Sequence, residues 1–370
     1  MAVTEDISAA TLADRSRADR TQTKPAADAI CHRRGRGGGR AVYSAIDLGT
    51  NNCRLLVASP TRYGFKPLDA FSRIVGLGEG LGATGRLSPA AMDRALDALE
   101  VCARKNRRRR VTRMRAVATE ACRSAANCDD FVARVRERTG LELDIISPAE
   151  EARLAVIGCQ TLIRPRYRHV LVFDIGGGST ELILVRQKSR RKLRIVAWTS
   201  MPFGVINLSE SFREAKDGAI NYDVIADLIS DRLARFEVIS QLSRLATREP
   251  IQLIGTSGTV TTLTSVALGL TRYDRSRVDG SDMDITHMHR LARDIGRMPA
   301  ASRAAIPCIG HDRADLIVAG CAVLDSILEA WRFDILTVAD RGIREGILRG
   351  LMGSGQVLGP DPARAAEAVS

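Results

Sequence analysis

The chain has 370 residues, enough for about two domains of ordinary size. Hydrophobic residues make up 45% of it and aromatic residues only 4%, which is normal for a globular α/β enzyme and excludes fibrous and repeat proteins. No apolar run reaches the roughly 18 residues that a membrane span requires, and the N-terminus lacks the apolar segment of a signal peptide. We therefore expect a cytoplasmic protein without a membrane partner.

The formal net charge is +12, and two arginine-rich clusters at 104–115 and 186–194 carry much of it. A basic surface attracts polyanions without reading sequence, so nucleic acid and inorganic polyphosphate look alike at this level. Solvated side chains of an arginine-rich protein explain the clusters equally well. The eight cysteines show no Cys-x-x-Cys spacing, which predicts buried thiols of a reducing cytosol and neither zinc nor disulfides.

Residues 1–40 are polar, alternate in charge and end in several arginines and glycines. Such a segment cannot bury enough apolar surface to order itself, so we predict a disordered basic tail. A weak RNA contact through this tail is left open.

The pattern from residue 41 onward predicts strands and helices in an order that occurs twice. The first series is a hairpin of strands 42–46 and 55–58, a strand at 65–75, a helix capped by Ser88-Pro89, a strand at 113–118, a helix at 127–139 and a strand at 143–146. The second series is a helix at 149–157, a hairpin over 169–198, helices at 204–215 and 221–245, a strand at 251–254, helices at 260–268, 286–296 and 313–330, a strand at 336–338 and a helix at 343–352. This is a duplicated α/β pattern.

Each predicted hairpin has a tip of small residues directly after an aspartate. Glycine lets backbone N–H groups approach a ligand closely, so such a tip can form a nest for phosphate oxygens. Because the two tips share one residue pattern, we predict that the two halves of the chain bind one phosphate ligand from opposite sides. Their residues are Asp47, Gly49, Thr50 and Asn51 in the first tip and Gly176, Gly177, Gly178 and Ser179 in the second.

A third small-residue loop, with Gly255, Ser257 and Gly258, lies between a strand and a helix N-terminus. Free N–H groups and the helix dipole favour an anion at such a junction, so we predict a phosphate contact there. Asp174 and Glu181 bracket the second tip and form a plausible pair for Mg²⁺ (or Mn²⁺).

The helix predicted from residue 149 begins with two acidic residues, Glu150 and Glu151. Near two phosphate tips, one of these carboxylates can orient and deprotonate water for attack on phosphorus. Arg123 and Asn127 are four residues apart and are expected on one helical face, where the arginine can clamp a phosphate.

Taken together, the motifs resemble the exopolyphosphatase/guanosine pentaphosphate phosphohydrolase family of the actin-like ATPase superfamily, from about 41 to 351. The resemblance rests on 45–52, 118–123, 146–154, 173–181, 255–259 and 342–346. It implies an α/β protein of two actin-like (ribonuclease H-like) domains with mixed sheets flanked by helices and an active-site cleft between them. It gives domain I as 41–147 plus 326–352, domain II as 148–325 and a flexible tail at 353–370.

The resemblance also implies roles for individual residues. Glu151 matches the family's catalytic carboxylate, which activates water, and Arg123 matches an arginine that faces the substrate phosphate. Asp174 and Glu181 match acidic residues linked to Mg²⁺. The implied activity is release of the terminal phosphate of polyphosphate or of guanosine pentaphosphate by attack of water.

Several alternatives stay open at this point. The sequence does not choose between polyphosphate and guanosine pentaphosphate, and an actin-fold kinase or a non-catalytic RNA-associated protein are rival interpretations. Dimers are plausible by resemblance. Long family members continue into a further helical region, which this sequence lacks, so we expect a short form with a reduced grip on long polyphosphate.

Overall fold

Two mixed β-sheets, one from each half of the chain, carry the fold. The computed structural model describes residues 41–189, 192–213, 220–353 and 356–358. The tails expected at 1–40 and over most of 353–370 lie outside this part of the chain.

The strands are β1 Tyr43–Leu48, β2 Asn52–Thr61, β3 Gly64–Ile74, β4 Arg113–Ala118, β5 Leu143–Ile145, β6 His169–Ile175, β7 Thr180–Ser189, β8 Lys192–Met201, β9 Ile251–Ser257, β10 Asp282–Asp284, β11 Ile335–Ala339 and β12 Gln356–Leu358. The helices are α1 Leu81–Thr84, α2 Pro89–Arg108, α3 Glu120–Ser124, α4 Cys128–Thr139, α5 Pro148–Cys159, α6 Val205–Ser211, α7 Tyr222–Ser240, α8 Leu242–Ala246, α9 Gly258–Ala267, α10 Arg275–Val278, α11 Ile285–Arg297, α12 Ala300–Ala304, α13 Leu316–Ala330 and α14 Ile343–Leu351. Most predicted elements appear within a few residues of their expected bounds.

The two sheets repeat one arrangement. In the first, of order β3-β2-β1-β4-β5, strand β1 pairs antiparallel with β2 and parallel with β4. In the second, of order β10-β11-β9-β6-β7-β8-β12, strand β6 pairs antiparallel with β7 and parallel with β9. Each half therefore places a hairpin next to a parallel strand, which confirms the duplicated α/β pattern.

Alternation along the strands divides each half into two cores. In β1, Ile46 and Leu48 face the side covered by α2 and α4, whereas Ala45 faces the side covered by α5 and α14. Period-two alternation is what a strand buried on both faces requires. Helix α5 also packs against the second sheet, through Val156 and Ile157 among others. The cores thus fix the two sheets on either side of α5.

Two helices begin where the sequence predicts, because each has a serine cap followed by proline. The Ser88 side chain accepts a hydrogen bond from the backbone N–H of Ala91 at 3.2 Å. Ser147 does the same for Glu150 at 3.2 Å. Proline loses nothing at such a position, since its missing N–H would have had no partner within the helix.

Two expectations about local structure were wrong. Strand β11, placed in domain I at the sequence level, pairs parallel with β9 and so belongs to the second sheet. Arg123 and Asn127 do not share a helix, because α3 ends at Ser124 and Ala125 is extended. Asn127 instead holds the loop at Leu87 through two hydrogen bonds between its amide and that residue's backbone.

Helices α5 and α14 cross at glycines. A Cβ on Gly346 would lie 2.1 Å from the carbonyl oxygen of Leu154, and one on Gly158 would lie 2.1 Å from that of Gly342. These distances are far shorter than a van der Waals contact, so the crossing requires glycine at both places.

Gly346→Ala is therefore expected to lower the free energy of unfolding by about 2 kcal/mol or more, since the helices must separate to admit a methyl group. The measurement is thermal or urea unfolding of the purified variant. Gly350→Ala, at an exposed position one turn further along the same helix, meets nothing within 4 Å and should stabilise the protein by up to ~1 kcal/mol through helix propensity. Equal effects of the two changes would contradict the close crossing.

Candidate active site

The two hairpin tips approach each other closely. Gly176 donates its N–H to the carbonyl of Ser179 at 2.8 Å, which closes the second tip. A Cβ on Gly177 would lie 3.1 Å from the backbone nitrogen of Asn51, and one on Gly178 would lie 2.6 Å from Oγ1 of Thr50. The absence of side chains at both glycines is what lets the opposing tips come together.

A cavity opens beside these tips and is bounded by both sheets. Most of the residues singled out in the sequence line it, including both tips, part of the third loop and the acidic residues. The predicted residues on its wall are Asp47, Gly49, Thr50, Asn51, Glu151, Asp174, Gly176, Gly177, Gly178, Ser179, Glu181, Ser257 and Gly258.

The third loop enters the cavity only in part. Ser257 caps α9 by accepting a hydrogen bond from the backbone N–H of Val260 at 2.9 Å. Gly255, which was predicted to contact phosphate, does not line the cavity. It packs under Phe173, whose Cζ would lie 2.4 Å from a Cβ at that position. Its glycine therefore serves core packing between β9 and β6.

Six acidic residues line the cavity; four of them, Asp47, Glu151, Asp174 and Glu181, were singled out in the sequence, and Glu120 and Asp340 are the other two. Asp174 and Glu181 are directly opposite each other in the β6–β7 ladder. Burial raises the pKa of Asp174 to about 7 and that of Glu181 to about 7, and the negative charges of their neighbours add to this. Burial likewise raises the pKa of Asp47. The cluster thus disfavours its own full ionisation and favours a cation.

The two acidic residues at the start of α5 point to different surroundings. Glu151 is buried and lines the cavity. Burial, followed by the charge of Glu181, raises the pKa of Glu151 to about 8. Glu150 turns the other way and pairs with Arg115 at 2.9 Å and Arg153 at 2.6 Å. Of the two carboxylates that the sequence offered, only Glu151 faces the cavity.

Arg123 lies behind Glu151 and is not part of the cavity wall. Its Nη1 donates to Oε2 of Glu151 at 2.8 Å and to the carbonyl oxygen of Ile146 at 2.9 Å. Its Nη2 donates to Glu120 at 2.9 Å. The expectation that Arg123 faces the phosphate does not match this arrangement, in which its guanidinium orients a carboxylate.

The sequence matches the Ppx/GppA phosphatase family over residues 56–354. The chain belongs to this family. Exopolyphosphatase 2 of Mycobacterium tuberculosis is 32% identical over 332 residues, which cover 84% of this chain and 98% of that protein. The guanosine-5'-triphosphate,3'-diphosphate pyrophosphatase of Photobacterium profundum is 27% identical over 314 residues; the match covers 84% of this chain and 59% of the longer relative.

The crystal structure of the Aquifex aeolicus member of the Ppx/GppA family has the same architecture, with a TM-score of 0.69 at 26% identity. The alignment covers 85% of this chain and 99% of that one. The two-domain actin-like fold expected from the motifs is thereby confirmed.

Sequence reasoning missed four arginines that line the cavity of this Ppx/GppA-family member: Arg54, Arg313, Arg341 and Arg344. Burial lowers the pKa of Arg54, and Arg344 adds to this effect because the two positive charges lie close together. The strand register of the first hairpin could have identified Arg54, because this residue is directly opposite Asp47. Arg344 lies within the 342–346 motif, but only the packing of α14 between the sheets brings it to the cavity.

The donor set suits a hard divalent cation. Within the described residues, no three histidine, cysteine or acidic side chains stand close enough to form a complete ligand set. Mg²⁺ does not need one, because it keeps several waters and is usually held by one or two carboxylates plus substrate phosphates. Oδ1 of Asp47 is buried without a hydrogen-bond partner, as expected of an atom that awaits a ligand. A pair of carboxylates, Asp174 and Glu181, with Asp47 nearby, therefore fits the ion.

Proposed function

We propose that this protein is an exopolyphosphatase that releases terminal orthophosphate from inorganic polyphosphate by attack of water. Hydrolysis of guanosine pentaphosphate to the tetraphosphate is the alternative main activity. The observation that carries the proposal is the cavity that combines two glycine tips with the inward-facing carboxylate of Glu151. The names of the relatives support both substrates, since each presents a terminal phosphoanhydride.

In this mechanism the tips hold the terminal phosphate. The N–H groups of Gly176 and Gly49 close their own tips, so the backbone N–H groups of Gly177, Gly178 and Ser179 and of the opposing Thr50 and Asn51 are the donors for its oxygens. Arg54 and Arg344 contribute positive charge on the same wall. Charge that develops on the phosphate oxygens during the reaction is stabilised by groups that are already in place, which is where catalysis of phosphoryl transfer mainly arises.

Glu151 is placed to act on the water. Oε2 is held by Arg123, whereas Oε1 accepts no hydrogen bond from any described residue and so is free to take a proton. Burial raises the pKa of Glu151 to about 8, so in its ionised form this carboxylate is a stronger base than an ordinary glutamate. The Arg123 contact fixes the carboxylate, so the nucleophile is aligned before the bond to phosphorus forms.

Mg²⁺ (or Mn²⁺), held by Asp174 and Glu181 with Asp47 nearby, would neutralise charge on the substrate phosphates. Ser179 and Ser200 donate to Oε1 of Glu181 at 2.6 and 2.8 Å, and Oε2 accepts no side-chain hydrogen bond from the described residues. The serines thus set the orientation of this carboxylate.

We place the protein in the cytoplasm as part of this proposal. The described cysteines are free thiols, and no helix in the described ranges is long and apolar enough to cross a bilayer. A homodimer and a weak RNA contact through residues 1–40 stay predictions.

The decisive experiment compares phosphate release from long-chain polyphosphate, tripolyphosphate and guanosine pentaphosphate under identical conditions with Mg²⁺. We expect orthophosphate from polyphosphate without any acceptor, with kcat/KM at least tenfold above that for the nucleotide. The reverse order would establish the alternative. Phosphate release only in the presence of an acceptor molecule, with phosphorylation of that acceptor, would identify a kinase and overturn the proposal.

A further inference from the structure

A strongly basic surface lies at the end of the first sheet that is remote from the cavity. We call it the basic end and define it by Arg62, Tyr63, Lys66, Arg107, Arg108 and Arg110. Strand β1 runs from Tyr43 at this end to the tip at the cavity, a length of roughly 17 Å. Tyr43 is opposite Ala58 and Arg113 in the ladders, so the β2–β3 turn and the end of α2 lie at the same end.

The charges of the basic end are largely uncompensated. Asp69 is already paired with Lys105 at 2.7 Å and Arg109 at 2.9 Å. In the part of the chain that the structure describes, Arg107, Arg108 and Arg110 form no ion pair, and all three are exposed. Unpaired arginines beside one another repel, so their proximity is a cost unless a polyanion binds them.

Arg110 has a backbone conformation that costs energy. Its φ is 52°, in the left-handed region, at the position directly after the α2 cap where glycine is usual. An arginine there is less stable than glycine. The side chain is thus retained at the expense of stability, which points to a role in contact with a ligand.

Tyr63 favours nucleic acid over inorganic polyphosphate as the ligand of the basic end. It is 86% exposed at the β2–β3 turn, and the guanidinium of Arg62 lies 5.3 Å from the centre of its ring. An exposed aromatic ring next to arginines offers a stacking platform to a nucleobase. Inorganic polyphosphate has no flat apolar face and gains nothing from such a ring.

We propose that the basic end binds single-stranded nucleic acid, with Tyr63 stacking on a base and Arg107, Arg108 and Arg110 contacting phosphates. The surface is separate from the cavity, so binding there would hold the enzyme on a nucleic acid without occupying the catalytic residues. This proposal does not depend on the proposed function.

The test uses the full-length protein and a fluorescently labelled 20-nucleotide oligouridylate, with affinity measured by anisotropy over a range of salt concentrations. The variant R107E/R108E/R110E should bind at least ~30-fold more weakly, and the slope of log affinity against log salt should flatten by about 2. The control R235E/R244E/R248E makes the same change in net charge at exposed positions of the second half. It should weaken binding less than threefold, and both variants should keep the wild-type rate of phosphate release.

Two single changes complete the test. Tyr63→Ala should weaken binding by about tenfold, whereas Tyr63→Phe, which keeps the ring, should leave it unchanged. Arg110→Gly should raise the melting temperature by about 2 °C while weakening binding several-fold. Equal losses for the two triple variants, an inert Tyr63→Ala, or unchanged binding by Arg110→Gly would each overturn the proposal.

Discussion

Glu151→Gln is expected to lower kcat for phosphate release by about 10³-fold or more, with KM changed by less than threefold. The amide keeps the shape of the side chain and still accepts the hydrogen bond that Arg123 donates to Oε2. It cannot take a proton from water, so the step that generates the nucleophile is lost. The measurement is steady-state phosphate release from polyphosphate at saturating Mg²⁺.

Glu150→Gln is the matched control, because the two residues are adjacent in the first turn of α5. Glu150 pairs with Arg115 and Arg153 outside the cavity. Its loss should change kcat by less than threefold. A Glu151→Gln enzyme with full activity would remove Glu151 from the mechanism, and equal losses in both variants would indicate damage to α5 instead.

The role of Arg123 shows what the sequence could not predict about this site. A motif in the sequence identifies Arg123 as a site residue. The sequence does not show that its guanidinium donates hydrogen bonds to Glu151, to Glu120 and to a backbone carbonyl. Those contacts depend on α3 being a single short helix that ends at Ser124. Spacing of four residues suggested a longer helix, and the break at Ala125 has no strong signal in the sequence.

Local chemistry explains why other parts could be predicted. The Asp-x-Gly tips, the Ser88-Pro89 helix start and the alternating strands each depend on a few neighbouring residues, so the hairpins and the Ser88 cap appear as expected. Strand β11 and Arg344 depend instead on contacts between residues some 80 to 300 positions apart. Gly255 shows the same limit, because its role is set by Phe173 on a neighbouring strand rather than by its own loop.

The second large effect concerns the protonation of the buried carboxylates in the cavity. With Mg²⁺ removed by chelation, the free energy of unfolding should fall as the pH rises from about 4 to about 8. The pKa of Asp174 is raised from 3.8 to about 7, and Glu181 and Glu151 are raised to about 7 and 8. The folded protein therefore holds protons that the unfolded chain has already released, and the stability they provide is lost as these groups ionise.

Asp174→Asn is accordingly expected to stabilise the metal-free protein at pH 8, on the order of 3 kcal/mol, since one buried charge disappears. The same change should lower phosphate release at least 100-fold and raise the Mg²⁺ concentration needed for half-maximal activity, because a ligand is lost. Urea unfolding at pH 5 and pH 8, with and without Mg²⁺, measures the first effect independently of catalysis.

The control for this prediction is an aspartate whose pKa is shifted in the opposite direction. Lys105 and Arg109 hold the pKa of Asp69 below its usual value, so Asp69→Asn should destabilise the protein at pH 8 and leave the Mg²⁺ requirement unchanged. Mg²⁺ should reverse the pH dependence of the wild type, since the cation favours the ionised carboxylates. An Asp174→Asn protein that is less stable than the wild type at pH 8 without metal would show that this carboxylate stabilises the fold on its own. The cluster would then not be a site that depends on a cation.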